Sequence, residues 1–215
     1  MLDSLDNSPK IIVDFIEQYG KECHVSKTKT LIVDGRVEKE RSYYNDVTKM
    51  IVMDESKDDA EYAKTFRHEL GHFADDILGR ISFSEYFGDA LEADKYWLDN
   101  STTMGQENIS EMLADLESFD VMDSMYISDI LSGVFLNDTK IRDAYENNGM
   151  SFYGHDVNTY WLAWDPADKI VQQETFANMF AIYASGDKNS FSFMEKWFPN
   201  TTRRFQKEVD TRIYG

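Results

Sequence analysis

Asp59-Ala-Glu-Tyr62-Ala-Lys-Thr65-Phe66-Arg-His68-Glu69-Leu70-Gly71-His72-Phe73-Ala-Asp75-Asp76-Ile77-Leu78 is the stretch on which the reading of this chain turns. Its large apolar residues, Tyr62, Phe66, Leu70, Phe73 and Ile77, recur at intervals of four, four, three and four. A helix over residues 59–78 gathers them into one narrow stripe. His68 and His72 then fall on the nearly opposite face, with Thr65 and Asp75 beside them. Four residues is one helical turn, so the two imidazoles are neighbours able to hold a single metal ion. Glu69 is rotated by roughly 100° from His68. Its carboxylate therefore lies beside such an ion without ligating it, where a general base that takes a proton from water belongs. Gly71 in a helix interior costs about 1 kcal/mol relative to alanine, and that cost predicts a close approach of another backbone next to the metal.

Outward from this helix the patterning changes. Residues 9–20 read as a short amphipathic helix through Ile12, Val13, Ile16 and Tyr19, ending at Gly20. Strand character occupies residues 30–53: Leu31-Ile32-Val33 and Val37 flank Asp34-Gly35, a favoured two-residue hairpin turn, and Lys49–Met53 is a further apolar run. After Asp58 the period is helical, with only Pro166 and Pro199 as interruptions, which predicts roughly five to seven helices. The expected fold is α+β and mostly helical: one domain over residues 1–215, with a small N-terminal sheet packed on the helix of the two histidines.

A chain of 215 residues with 42% hydrophobic and 14% aromatic content can bury a substantial core. Forty acidic against 22 basic residues give a net charge of -18, which repels nucleic-acid backbones and anionic membranes as partners. Cys23 stands alone, so no internal disulfide and no cysteine-based zinc cluster can form. The start, MLDSLDNSPK, lacks a basic segment followed by an apolar run, and no 18-residue apolar stretch occurs anywhere. A cytoplasmic or virion setting is expected, with non-classical export left open.

Catalytic zinc usually takes three protein ligands and keeps one position open. The extended spacing that ends in a third histidine fails here, since Asp75 and Leu78 occupy the positions of its glycine and histidine. A glutamate from another helix is the other common solution, and there are three candidates for it. Glu92 lies in the helical Ser84–Leu98 segment, but Tyr96 stands one turn later. Glu111 opens Glu-Met-Leu-Ala-Asp115. Glu174 opens Glu-Thr-Phe-Ala-Asn-Met-Phe-Ala-Ile-Tyr, a helix over about residues 171–185. There Phe176, Met179, Phe180 and Tyr183 form the apolar stripe, while Glu174 and Asn178 share the opposite face. Ala177 and Ala181 border that face and permit close approach to the histidine helix, and Asn178 can hydrogen-bond a ligating imidazole. Geometry alone leaves the three glutamates open.

His68-Glu-Leu-Gly-His72-Phe-Ala-Asp75-Asp76-Ile-Leu-Gly79 resembles the HExGHxxDDxxG segment of the anthrax-lethal-factor-like gluzincin domain. Gln173-Glu174-Thr-Phe176-Ala177-Asn-Met-Phe180 is similar to that family's second motif, ExFAExF. Related domains of phage and prophage minor head proteins carry an ETFAN-type second motif. The resemblance spans roughly residues 43–205, with only the two motif blocks specific. It implies a zincin fold, Zn2+ held by His68, His72 and Glu174, and hydrolysis of a protein or peptide substrate with Glu69 as general base. It also implies that Lys49–Met53 is the edge strand that aligns extended substrate. Two positions depart from the family. Asn178 replaces an acid, and Ala167 replaces a tyrosine seven residues before the glutamate. His155 and Tyr160 are the nearest replacements for that tyrosine, as donors to an oxyanion or a leaving amine. The rival readings are a catalytically degenerate zincin serving as a structural or binding domain, as in a phage head, and a toxin-like effector.

Overall fold

The computed structural model describes residues 8–28, 31–33, 36–38, 42–99, 101–118, 124–136, 138–147, 155, 157–163 and 165–215. It is mostly helical, with a small three-stranded sheet at the N-terminal end. Helix α1 (Lys10–Tyr19) leads into β1 (His24–Thr28), and the short β2 (Leu31–Val33) and β3 (Arg36–Glu38) pair antiparallel. The register of that pair, Val33 opposite Arg36, agrees with the expected two-residue hairpin, whose turn at Asp34-Gly35 lies outside the described residues. Then come β4 (Tyr43–Asn45) and β5 (Met50–Asp54).

The sheet order is β1-β5-β4, with β5 parallel to β1 and antiparallel to β4. The expectation that Lys49–Met53 forms an edge strand is therefore corrected: β5 is central, and β4 takes the edge among the described strands. The reason is burial. Ile51, Val52 and Met53 are all removed from solvent, and a strand covered on both faces belongs in the middle of its sheet.

Helix α2 (Asp59–Ile77) follows within a few residues. Asp58 caps it, accepting from the Glu61 amide at 2.9 Å, and Asp59 and Glu61 lie in its first turn, where negative charge favours the helix dipole. Phe66, Leu70 and Phe73 of its stripe are buried, with Tyr62 and Ile77 packed at the margin. The remaining helices are α3 (Glu85–Trp97), α4 (Thr103–Ser118), α5 (Ser124–Val134), α6 (Thr139–Asn147), α7 (Ile170–Ser185), α8 (Lys188–Trp197) and α9 (Pro199–Tyr214). Among the described residues eight helices thus follow the sheet, more than the sequence pattern suggested, partly because Phe198-Pro199 splits the C-terminal segment into α8 and α9.

Helix α7 is the centre of the fold. It packs most extensively on α2, next on α5, and every residue from Glu174 to Ile182 is buried. Its polar face does not meet water; it meets α2. Phe176 contacts the rings of Phe87 and Phe205, and Phe180 contacts Phe15 of α1, so both termini of the chain close on this helix. Gly71 allows the α2–α7 contact. A Cβ there would lie 2.5 Å from the Ala177 carbonyl oxygen and 2.7 Å from its Cα. The close backbone approach expected from the glycine is present, and its partner is one of the two small residues read from the sequence. No helix among the described residues is long and apolar enough to cross a membrane.

Candidate metal centre

His68 and His72, one turn apart on α2, direct their Nε2 atoms to within 3.2 Å of each other. Glu174, at the end of α7 nearest them, places Oε2 at 3.2 Å from His68 Nε2 and 3.5 Å from His72 Nε2. Three potential ligand atoms from two helices thus form a nearly regular triangle. The Glu174 carboxylate is buried, and its Oε2 has no well-formed hydrogen bond, although an orphaned buried acceptor costs free energy. Its other oxygen, Oε1, accepts a hydrogen bond from the Tyr160 hydroxyl.

The hydrogen bonds behind the triangle fix the tautomer of His68. Asn178, one turn after Glu174, has Oδ1 at 2.8 Å from His68 Nδ1, and its Nδ2 donates at 2.8 Å to Oδ2 of Asp129 on α5. An amide oxygen only accepts, so Nδ1 carries a proton, and in the neutral ring Nε2 is the atom left free to ligate a metal. Glu69 points elsewhere: it is buried, and its carboxylate accepts from the Tyr44 backbone amide of β4.

Charge inside this cluster is strongly coupled. Burial disfavours the imidazolium of His68, but the Glu174 carboxylate beside it, with Glu69 and Asp129 further off, carries its pKa up to about 10. Burial likewise opposes ionisation of Glu174, yet the two imidazoles hold it well below the usual carboxylate range. Glu69 is raised by burial, with the histidines pulling the other way. Asp129 is raised by burial and then by the negative charge of Glu174. Tyr160 is raised by burial and by the same carboxylate. The carboxylates that raise His68 favour positive charge at this position.

The residues open onto a cleft of about 570 Å³, which Ser42, Tyr43 and Tyr44 of the β4 segment and His155 also line. His155 stacks on Tyr160 with ring centroids 3.7 Å apart, and its Nε2 lies 3.9 Å from Asp129 Oδ1. Tyr160 sits in a single π-helical turn, Val157–Trp161. Trp161 anchors that turn to α5: its Nε1 donates at 3.0 Å to Ser132 Oγ, and its ring covers Gly133. Asp76 and Arg80 line the cleft on the side of β4. Asp76 accepts from the Tyr44 hydroxyl at 2.7 Å and pairs with Lys49, while Arg80 pairs with Asp46 at 2.8 Å.

All six residues singled out from the sequence, His68, Glu69, His72, His155, Tyr160 and Glu174, therefore meet in one cleft. The other two glutamates do not. Glu92 is exposed beside Lys95 at 3.8 Å, and Glu111 is exposed and bonded to Lys196 at 3.0 Å. Ala167 is exposed in the turn Pro166–Asp168, and Tyr160 reaches the glutamate instead. Asp129 was missed. Its only signal was an acid inside the otherwise apolar run Tyr126-Ile-Ser-Asp-Ile-Leu131. No family model, no curated protein and no solved structure matches this chain.

Proposed function

We propose that this chain is a zinc-dependent metallopeptidase with a zincin-like fold, its metal held by His68, His72 and Glu174. The observation that carries the reading is the triangle of ligand atoms at 3.2, 3.2 and 3.5 Å, one corner of which is a buried carboxylate oxygen with no hydrogen bond of its own. Tetrahedral zinc with bonds of about 2.0–2.1 Å separates its ligands by roughly 3.3–3.4 Å. The set of two imidazoles and one carboxylate is that of a catalytic zinc, which keeps a position open. Zinc, when bound, supplies Lewis acidity toward water and a substrate carbonyl.

The chain's own residues supply the rest. Glu69, beside the cluster and raised by burial, is suited to accept a proton from water and pass it on. Its bond from the Tyr44 amide holds the carboxylate in position. His155 and Tyr160 stand in the wall of the cleft as the candidate donors to a developing oxyanion, Tyr160 once its hydroxyl leaves Glu174. A protein or peptide substrate would align in extended form along β4, the exposed edge strand bordering the cleft. A second reading, a metal-bound domain without turnover, draws on one contact: the Tyr160 hydroxyl is engaged by Glu174 and not directed to the open cleft.

Elemental analysis of the purified protein should find one zinc per chain. Glu69→Gln should keep that zinc and lose chelator-sensitive cleavage of a peptide library by about a hundredfold or more. Full activity in that variant would refute the role of Glu69. A zinc-loaded parent that cleaves nothing would favour the second reading.

A further inference from the structure

We infer that Asp129 is a positioning residue for the metal centre, selecting through Asn178 the His68 tautomer that can ligate. The inference rests on the metal reading above and adds a residue to it from a third helix.

An amide has a donor end and an acceptor end of nearly the same shape, so Asn178 alone does not determine which end faces His68. Facing it with the NH₂ would require Nδ1 to accept. The proton of the neutral ring would then sit on Nε2, the atom that must be bare to bind a metal. Asp129 removes the choice. In its ionised form its carboxylate accepts and does not donate, so it takes the NH₂ at 2.8 Å and leaves Oδ1 for His68 Nδ1 at 2.8 Å. The relay is buried along its length: Asn178 is 2% and Asp129 8% exposed, so water does not substitute for either partner. Asp129 is also fixed in place. Ile127, Ile130 and Leu131 seat α5 in the core, and α5 packs along α7 over an extended contact. The neutral Asn178 is thereby backed by an anion. His68 receives the directed, charge-supported acceptor that an acid at position 178 would have provided directly.

The test is zinc affinity, measured by competition with a chromophoric chelator, in four proteins: the parent, Asp129→Asn, Asp129→Ala and the double exchange that combines Asp129→Asn with Asn178→Asp. Partners behind a metal ligand are typically worth about 10–100-fold in affinity. Asp129→Asn, whose side chain can present either end to Asn178, should weaken zinc binding about tenfold. Asp129→Ala should weaken it towards a hundredfold. In the double exchange the carboxylate, moved to position 178, accepts from His68 Nδ1 directly, and the amide, moved to position 129, donates to that carboxylate. Affinity should then return to within about threefold of the parent. The visible spectrum of the Co2+-substituted exchange should match that of the parent. A purely structural role for Asp129 does not predict that recovery. Equal affinity in Asp129→Asn and the parent, or no recovery in the exchange, would overturn the inference while leaving the metal site standing. A parent chain that takes up no zinc would overturn the metal reading and this inference together.

Discussion

On the α7 side of the cleft Glu174, Asn178 and Asp129 are buried and held by partners from other elements: Glu174 by Tyr160, Asn178 by His68 and Asp129. On the β4 side the polar groups lie at a solvent boundary, where Lys49, Arg80 and Asp46 are 37%, 50% and 53% exposed in their side chains. Both sides are charged, and both contain acids held by partners. They differ in what a lost partner costs. A buried group left unpaired keeps its full desolvation penalty, whereas an exposed one is rescued by water and ions. The seam of α2 and α7 can therefore hold the three candidate ligand atoms in fixed geometry, while the β4 side can only bias the field and frame the entrance.

The contrast is tested most severely at the ligands. Removing a ligand should cost more than removing a partner behind one, so Glu174→Gln is expected to weaken zinc binding by more than about a hundredfold, roughly 2.7 kcal/mol. Chelator competition measures it. A loss of only a few-fold would mean that Glu174 behaves like an exposed acid of the opposite side. Next comes the helix seam. Gly71→Ala gains about 1 kcal/mol of helix propensity, but its Cβ must enter 2.5 Å from the Ala177 carbonyl oxygen. Overpacking of this kind costs about 1–3 kcal/mol, so a net destabilisation of up to about 2 kcal/mol is expected by chemical denaturation of the metal-free protein. A more stable variant would show that α2 and α7 can separate without penalty. Tyr160→Phe should be milder, lowering zinc affinity about tenfold through the lost hydrogen bond to a charged group. Its kcat at saturating zinc distinguishes a group that only orients Glu174 from one that also meets the reacting atoms.

How much of this could be read from the chain follows the same division between local and distant contacts. The motif helix, the two faces of α2 and the small residue at Ala177 depend on spacing within one turn, and they came out at the expected places. Glu174 shared a face with Asn178 for the same reason. Asp129 was hidden because its partner lies 49 residues away and because an acid in an apolar helix reads locally as a mere blemish. The central place of β5 was hidden because its parallel partner β1 has little apolar patterning; its residues are exposed or only partly buried. Helix α7 reads as two-faced by period, yet it is buried all round, since its polar side is covered by another polar surface and not by water. Period reports polarity; it does not report what covers a polar face.

The smallest effect belongs to the β4 side, and it has a pH signature. Burial works against the Asp76 carboxylate. The Lys49 ammonium, the Tyr44 hydroxyl and Arg80 outweigh it and hold the group below its ordinary value of 3.8. A folded-state pKa below the unfolded one adds stability that is present above the unfolded value and lost as pH falls through the folded one. Asp76→Asn should therefore destabilise the metal-free protein by less than about 1 kcal/mol at pH 7, because both cationic partners are solvated. The gap between the variant and the parent should stay constant down to about pH 5 and narrow as pH falls through the unfolded carboxylate's range towards the lower folded-state value. Denaturant titrations of both proteins at about pH 7, 5 and 3 provide the measurement. A gap that does not narrow at all between about pH 5 and the lowest pH would assign the effect to packing, and the β4 side would then be built more like the α7 side than its exposure implies.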